Sequence, residues 1–533
     1  MSSKRYWRIL ALTLSVMFLF VAAQACGPAT EPEPEDEPTE SEPATPETPS
    51  DEKKVLTSRL GQDPGFLDPA HLGQVDGFAV ASNIFSGLVR YDWNDWTIHP
   101  DLASDWDISE DGLEWTFYLR EGVQWHKGFG EFTAADVKYT FDRIRDDATG
   151  SRWQREWDNV RELEVVDDYT VRYHLHDASP VFIHSLTKYR QGMLVNQAAV
   201  EEFGEDFNTN VIGTGPFMLE SWAADSEVVL VANPDYWEGA PNLDEVRYVI
   251  IVDETVAHMA FDACEIDVMA FTQPEKVEEY RNRDDVKLQY MPTTAIYTWH
   301  LKIDEAPYDD LRVRQAIAHA IDKQLFIDEI RGGTATIANS ILAPDLMGHN
   351  PDVPKYEYDP DRSRELLADA GYPDGFTTTA LVPETELDRE VASVVQAMLA
   401  EVGIDMQIEI MDMATWTAAT TAGETPMGRT SIGGRPDPHI VLHTFFHGAR
   451  TPPDGRFFAM YYDGDDLLDA AAIEMDPERR RELYEEWEMR FMTDLPSIPI
   501  FHSDTMAVTK PHVENWEHDQ YRHHWLLETD LVQ

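Results

Sequence analysis

The sequence predicts an α/β protein of two or three domains behind a signal segment and an acidic linker, and three observations carry that expectation. At 533 residues, with 43% hydrophobic and 11% aromatic content, the chain can bury real cores. From Val55 onward, short runs of period two alternate with runs of helical period. The first 52 residues follow neither pattern: they are basic and apolar, then acidic and rich in proline.

Lys4, Arg5 and Arg8 precede a fifteen-residue apolar run, 9–23, which is short for a membrane span and has the form of a signal peptide, residues 1–25. It ends in Ala23-Gln24-Ala25-Cys26, which resembles a bacterial lipobox with cleavage before Cys26 and lipidation of its sulfur. Ala23 stands where that motif usually has Leu. Residues 26–52 then form the lipidated cysteine and a linker whose seven prolines and acids, without hydrophobic periodicity, predict an extended, solvated tether.

The formal net charge is −57. Residues 27–52 hold ten acids and no base, and the signal segment holds three bases, so 89 acids and 39 bases, about −50, remain on the folded body. Such a surface repels phosphate backbones and anionic head groups, which excludes nucleic acid as a partner and limits membrane association to the lipid anchor. With 12 lysines against 30 arginines, the composition reads as that of a protein working in high salt, where carboxylate repulsion is screened.

Within the body, 56–60 reads as a strand, followed by the loop 61–69 and a helix over 76–88. Leu113, Trp115, Phe117 and Leu119 alternate with polar residues, the pattern of a strand with one buried face. Thr133 with Asp136 has capping-box spacing, and Val137, Phe141 and Ile144 share the helix face that follows. Gly213 and Gly215 in GTGP lack the lysine of a phosphate loop and predict a turn that needs glycine. Strands at 287–291 and 295–301 precede a helix carrying Val313, Ile317, Ile321 and Leu325 in register. Helices through 391–399 and 476–491 and a strand at 495–503 complete the body. Cys264 is its only cysteine, which rules out an intrachain disulfide framework, and it reads as a buried small residue rather than a nucleophile.

GxSxG and HExxH are absent, so no catalytic residue, cofactor or metal ligand is assigned. His518, His523 and His524 come nearest to a metal set, and they read as exposed histidines in a charged C-terminal stretch. Fifteen tryptophans offer the rigid apolar surfaces that ligand clefts use, which favours binding over catalysis.

Residues 102–143, with an SEDG turn, an aromatic strand ending in LREGV, then WHKG and TAADVKYTFDR, resemble the signature segment of the family 5 extracellular solute-binding proteins. That is the dipeptide, oligopeptide and nickel class serving ABC importers. GTGPFML (213–219), NPDYWEGAPNLDEVRYVII (233–251), APYDDLRVRQAIAHAIDKQLFIDEI (306–330), GRPDPHIVLHTFF (434–446) and LPSIPIFHS (495–503) continue the likeness. The resemblance implies a two-lobed periplasmic-binding-protein fold with an extra subdomain in lobe one. Lobe one would be 53–293 with the insertion at about 92–205, lobe two 294–494, and 495–533 the return to lobe one. It also implies a monomeric, non-enzymatic protein whose lobes close over a solute about two crossing segments and are then read by the subunits of an ABC permease. Ligand-facing positions carried over from the family are Phe66 and Asn83 on lobe one, Tyr297 and Trp299 on the crossing strand, and Trp416, Arg435, Asp437 and His439 on lobe two.

In peptide-binding members the lobe-two loop typically reads Asp-aromatic-x-Asp-Pro, and its first Asp pairs with the peptide's ammonium group. Here the loop is Gly434-Arg435-Pro436-Asp437-Pro438, which favours an anionic or neutral polar solute over a free peptide N-terminus. Peptide transport is nonetheless the family's commonest role, and a non-peptide ligand, a sensory lipoprotein and an extracellular hydrolase stand as alternatives.

Overall fold

Two long strands, Lys287–Leu301 and Ser497–Thr509, pair antiparallel and form the middle of the molecule. Their register shifts between Pro292 and Ile296, so the two strands expected at 287–291 and 295–301 are one fifteen-residue strand with an irregular waist. The structure, a computed structural model, describes residues 53–92, 96–519 and 525–532. The signal segment, the linker, Cys26, His523 and His524 lie outside the described residues.

Among these, eleven strands make one sheet. To one side of the central pair lie Met427–Ile432, Phe376–Pro383 and Ile404–Met411; to the other lie Val268–Phe271, Val55–Leu60, Glu245–Ile250, Glu227–Ala232 and Phe217–Ala223. Ala335–Ile337 pairs with the middle of Ser497–Thr509, from Phe501 to Ser503. Val55–Leu60 runs parallel to Glu245–Ile250 with Leu56 beside Val246, both fully buried. Two large cores sit on the two halves of this sheet. One gathers side chains from Leu56 to Tyr248, with Trp516 and Leu526 added from the C-terminal end. The other runs from Ile296 to Phe501. A smaller core holds Phe261, Tyr280 and Met506.

A separate four-stranded antiparallel sheet is built from Ala103–Ile108, Glu114–Leu119, Thr170–Leu175 and Val160–Asp167. Trp115, Phe117 and Leu119 are buried as the alternation requires. The helix Ala134–Arg145 begins with the expected capping box, in which Asp136 Oδ2 accepts the Thr133 amide at 3.0 Å. Phe141 of this helix packs edge-on against Trp157 and Tyr173, ring centroids 5.4 and 6.1 Å apart.

Three expectations change for physical reasons. The helix read as 76–88 is Val75–Ile84, because the Ile84 carbonyl accepts the Gly215 amide at 2.8 Å and the chain leaves the helix there. Gly213 and Gly215 are therefore required by close approach rather than by a turn conformation: a Cβ would lie 1.9 Å from the Ile84 carbonyl oxygen at 213 and 2.6 Å from that of Asn83 at 215. Cys264 is exposed and adopts φ +58°, two residues beyond the helix Glu254–Asp262, where a left-handed residue ends a helix and glycine is the usual choice. No described helix is long and apolar enough to cross a membrane.

Candidate functional site

The helix Pro438–Phe445 supplies one wall of a cleft between the two cores, and its N-terminus is fixed with unusual rigour. Asp437 caps it by accepting the His439 amide at 2.8 Å, and Pro438 occupies the first helical position. The Asp437 carboxylate is buried and bidentate to Arg480, both N–O distances 2.7 Å. Arg480, itself buried, also donates to the Ala471 carbonyl at 3.1 Å and to the Tyr484 hydroxyl at 3.0 Å. Burial alone would push the Asp437 carboxyl up, but Arg480 and then His184 outweigh it and hold it well below the ordinary carboxylate range. His184 comes from the opposite side of the cleft. Its Nε2 lies 3.7 Å from Asp437 Oδ2, and its Nδ1 is hydrogen-bonded to the Tyr91 hydroxyl at 2.8 Å.

The loop before the helix is tied to the central strand, since the Arg435 amide donates to Thr294 Oγ1 at 2.7 Å and that hydroxyl donates to the Arg435 carbonyl at 2.9 Å. The Arg435 guanidinium bonds the Gly434 carbonyl at 2.7 Å and borders a cavity of about 420 Å³. Tyr91, Glu156, Phe182, His184 and Gln191 line it on one side, and Arg435, His439, His443 and Arg450 on the other. Among its lining residues the formal charges are Arg435 and Arg450 against Glu156, so the cavity is net cationic with histidines between. Burial and then the neighbouring His443 push the His439 imidazole down to about 4, so it is neutral at physiological pH.

Of the residues carried over from sequence, the structure brings Arg435 and His439 to this cavity and sets Asp437 directly behind them. It does not bring the others there. Phe66 is 48% exposed beside His71 on the loop after the first strand. Asn83 is fully buried, donating to the Ala79 carbonyl at 3.0 Å and accepting the Leu526 amide at 3.1 Å. The Tyr297 hydroxyl donates to Asp388 at 2.9 Å while its ring stacks on Phe501. Trp299 is fully buried in the second core. Trp416 donates to the Leu381 carbonyl at 3.2 Å, with Arg429 over its ring. His518, expected exposed, is buried, bonded to Thr505 at 2.9 Å and stacked on Trp516.

Sequence reasoning missed His184, Tyr91, Arg450 and His443. For His443 a signal existed: His439, His443 and His447 recur at i, i+4 and i+8. Their rings form a ladder with centroids 4.8 and 4.5 Å apart.

The family model for bacterial extracellular solute-binding proteins, family 5 middle, matches residues 97–453. The dipeptide-binding protein of Escherichia coli is 28% identical over 503 residues, covering 89% of this chain and 94% of its own. The di/tripeptide-binding protein 2 of Pseudomonas aeruginosa is 30% identical over 480 residues, covering 84% of this chain and 90% of its own. Among solved structures, HbpA2 from Haemophilus parasuis superposes with a TM-score of 0.84 at 26% identity, covering 90% of this chain and all of that one.

Proposed function

The chain belongs to the bacterial extracellular solute-binding proteins of family 5, and from that premise we propose that its cleft captures a small peptide-like solute through a carboxylate or other anionic group. Its two-lobed fold and extracytoplasmic role in delivering a solute to an ABC importer come with the family, whose members bind solutes rather than transform them. Relatives named for dipeptides and di/tripeptides support a short peptide or derivative as the solute class. A cavity of about 420 Å³ is of the size that small ligands fill.

The observation that carries the anionic preference is the charge arrangement at the cavity. Gly434 stands where the resemblance places the ammonium-binding Asp, and the carboxylate of Asp437 is already neutralised by Arg480. Arg435 and Arg450 face the space that an ammonium group would have to share. Cationic walls favour an N-acylated or dicarboxylic solute over a free N-terminus. In a thermal-shift series, an N-acetylated dipeptide should stabilise the protein more than the free dipeptide, and Arg435→Ala should weaken its binding by about 1.5–3 kcal/mol, the worth of a charge-assisted hydrogen bond. Tight binding that requires the free N-terminus would refute this reading.

Core membership supports a first lobe boundary at 293/294, because Val286 packs with the small core and Ile296 with the second large one. We take the second crossing to lie between Phe501 and Met506, since Phe501 belongs to the second large core and Met506 to the small one. We take the two crossing segments as the hinges of closure. We further propose that lipidated Cys26 holds the protein at the membrane surface, on the strength of the lipobox-like AQAC and the charged, proline-rich stretch behind it. Cys26→Ser should move the protein from the membrane fraction to the soluble fraction, and equal partitioning of both forms would exclude the anchor.

A further inference from the structure

We propose that His443, His447 and Asp469 form a binding site for a divalent transition-metal ion at the outer end of the cleft wall. The inference is independent of which solute the cleft takes.

His443 lies on the helix Pro438–Phe445 and His447 just beyond its end. Asp469 lies on the neighbouring helix Asp465–Ile473. Asp469 Oδ1 stands 3.6 Å from His443 Nε2 and 3.2 Å from His447 Nε2, and the three residues' donor atoms all lie within 4.8 Å of one another. Ligands held about 2.1 Å from one ion in tetrahedral geometry are roughly 3.4 Å apart, so two of the three spacings already fit and a small rotation of His443 closes the third. His443 is partly exposed and Asp469 65% exposed, which leaves both that rotation and the entry of an ion unobstructed.

The protonation chemistry is also provided for. His447 Nδ1 accepts the Ala449 amide at 2.9 Å, which places its proton on Nε2, facing Asp469. An ion at Nε2 requires the other tautomer, with the proton on Nδ1. Asp465 Oδ2 is 3.9 Å from that nitrogen, and its Oδ1 is anchored by the Gly448 amide at 2.9 Å. A shift of about 1 Å would bring Asp465 Oδ2 to accept a hydrogen bond from Nδ1–H, the carboxylate–histidine–metal arrangement that orients imidazole ligands. Ala449 is an exposed residue, and its amide would turn to solvent. Arg450 opposes a cation here, and the two carboxylates of Asp465 and Asp469 offset it.

Two imidazoles and one carboxylate suit zinc, nickel or copper and do not suit calcium or magnesium, which take oxygen ligands. A bound ion would clamp the 447–450 turn to both helices. Because His443 and Arg450 border the cavity, the clamp would stiffen its cationic wall.

The test uses the full-length protein, stripped with EDTA, kept reduced, and titrated at pH 7.5 with Zn²⁺ and with Ni²⁺ in competition with a chromophoric chelator. One equivalent should bind, and His443→Ala, His447→Gln and Asp469→Asn should each weaken it about tenfold or more. His447→Gln retains an amide acceptor for Ala449, and circular dichroism checks that every variant is folded. Cys264→Ser should leave affinity unchanged. No saturable binding, wild-type affinity in the three site variants, or binding lost only with Cys264→Ser would each overturn the proposal.

Discussion

Arg480→Ala should lower the unfolding free energy by about 3–5 kcal/mol, the range for removing one partner of a buried ion pair. The size follows from what is left behind. Asp437 is 5% exposed and takes both of its guanidinium bonds from Arg480, so the variant strands a buried carboxylate with only His184, 3.7 Å away, beside it. The Ala471 carbonyl and the Tyr484 hydroxyl lose a donor as well. Pairing the change with Asp437→Asn should recover a large part of the loss, because a neutral amide keeps an oxygen for the helix cap and removes the orphan charge. Urea denaturation of the two single variants and the double variant measures this. A loss below about 1 kcal/mol for Arg480→Ala would show that His184 or solvent compensates the carboxylate. Solute affinity should fall with stability, since Asp437 sets the start of the helix that carries His439 and His443.

How much of this was legible in the sequence depends on whether the signal was local. The capping box at Thr133 and Asp136 and the alternating strand at Trp115, Phe117 and Leu119 are short-range patterns, and both are present as read. Tyr297 and Trp299 show the limit of period two. Positions 296–301 are buried on both faces of the strand, so alternation does not say which side chains face a ligand and which face a core. The side of the cleft carrying Phe182, His184 and Gln191 consists of short 3₁₀ turns without periodicity, and nothing in their spacing points to Asp437, some 250 residues away. Cys264 was legible in part: directly after a helix, a glycine-like position was the better expectation than a buried one. The histidine ladder was fully legible in spacing, but the carboxylates that give it meaning come from another helix.

His126→Ala should cost about 2–4 kcal/mol at pH 7.5, and the cost should shrink as the pH falls. His126 is 3% exposed and serves as a clamp between the WHKG and GTGP segments. Its Nε2–H donates to the Gly215 carbonyl at 2.8 Å, and its Nδ1 accepts the Gly213 amide at 3.2 Å. Both glycines press against the end of the helix Val75–Ile84, so losing the imidazole leaves the buried Gly213 amide without its acceptor and the Gly215 carbonyl with only the Asn233 side-chain amide, 3.1 Å away. Burial pushes this imidazole down to about 4 from an ordinary value of 6.5, against the opposing pull of its bond to Gly215. The unfolded chain therefore takes up the proton first on acidification. The contribution of His126 is complete above pH 6.5 and is lost progressively as the pH falls towards 4, by about 1.4 kcal/mol for each unit between the two values. At pH 5 the wild type should have given up about 2 kcal/mol of it, while the variant has nothing to lose. Buried His300 and His502 titrate in the same direction, and Glu488 and Asp504, pushed up to about 7 and about 6 by burial, in the opposite one. The difference between wild type and variant cancels all four. Denaturation curves for both proteins at pH 7.5 and pH 5 decide the matter: an equal cost at the two values would mean that His126 keeps its proton affinity in the fold, and that the clamp is held by packing rather than by a neutral imidazole.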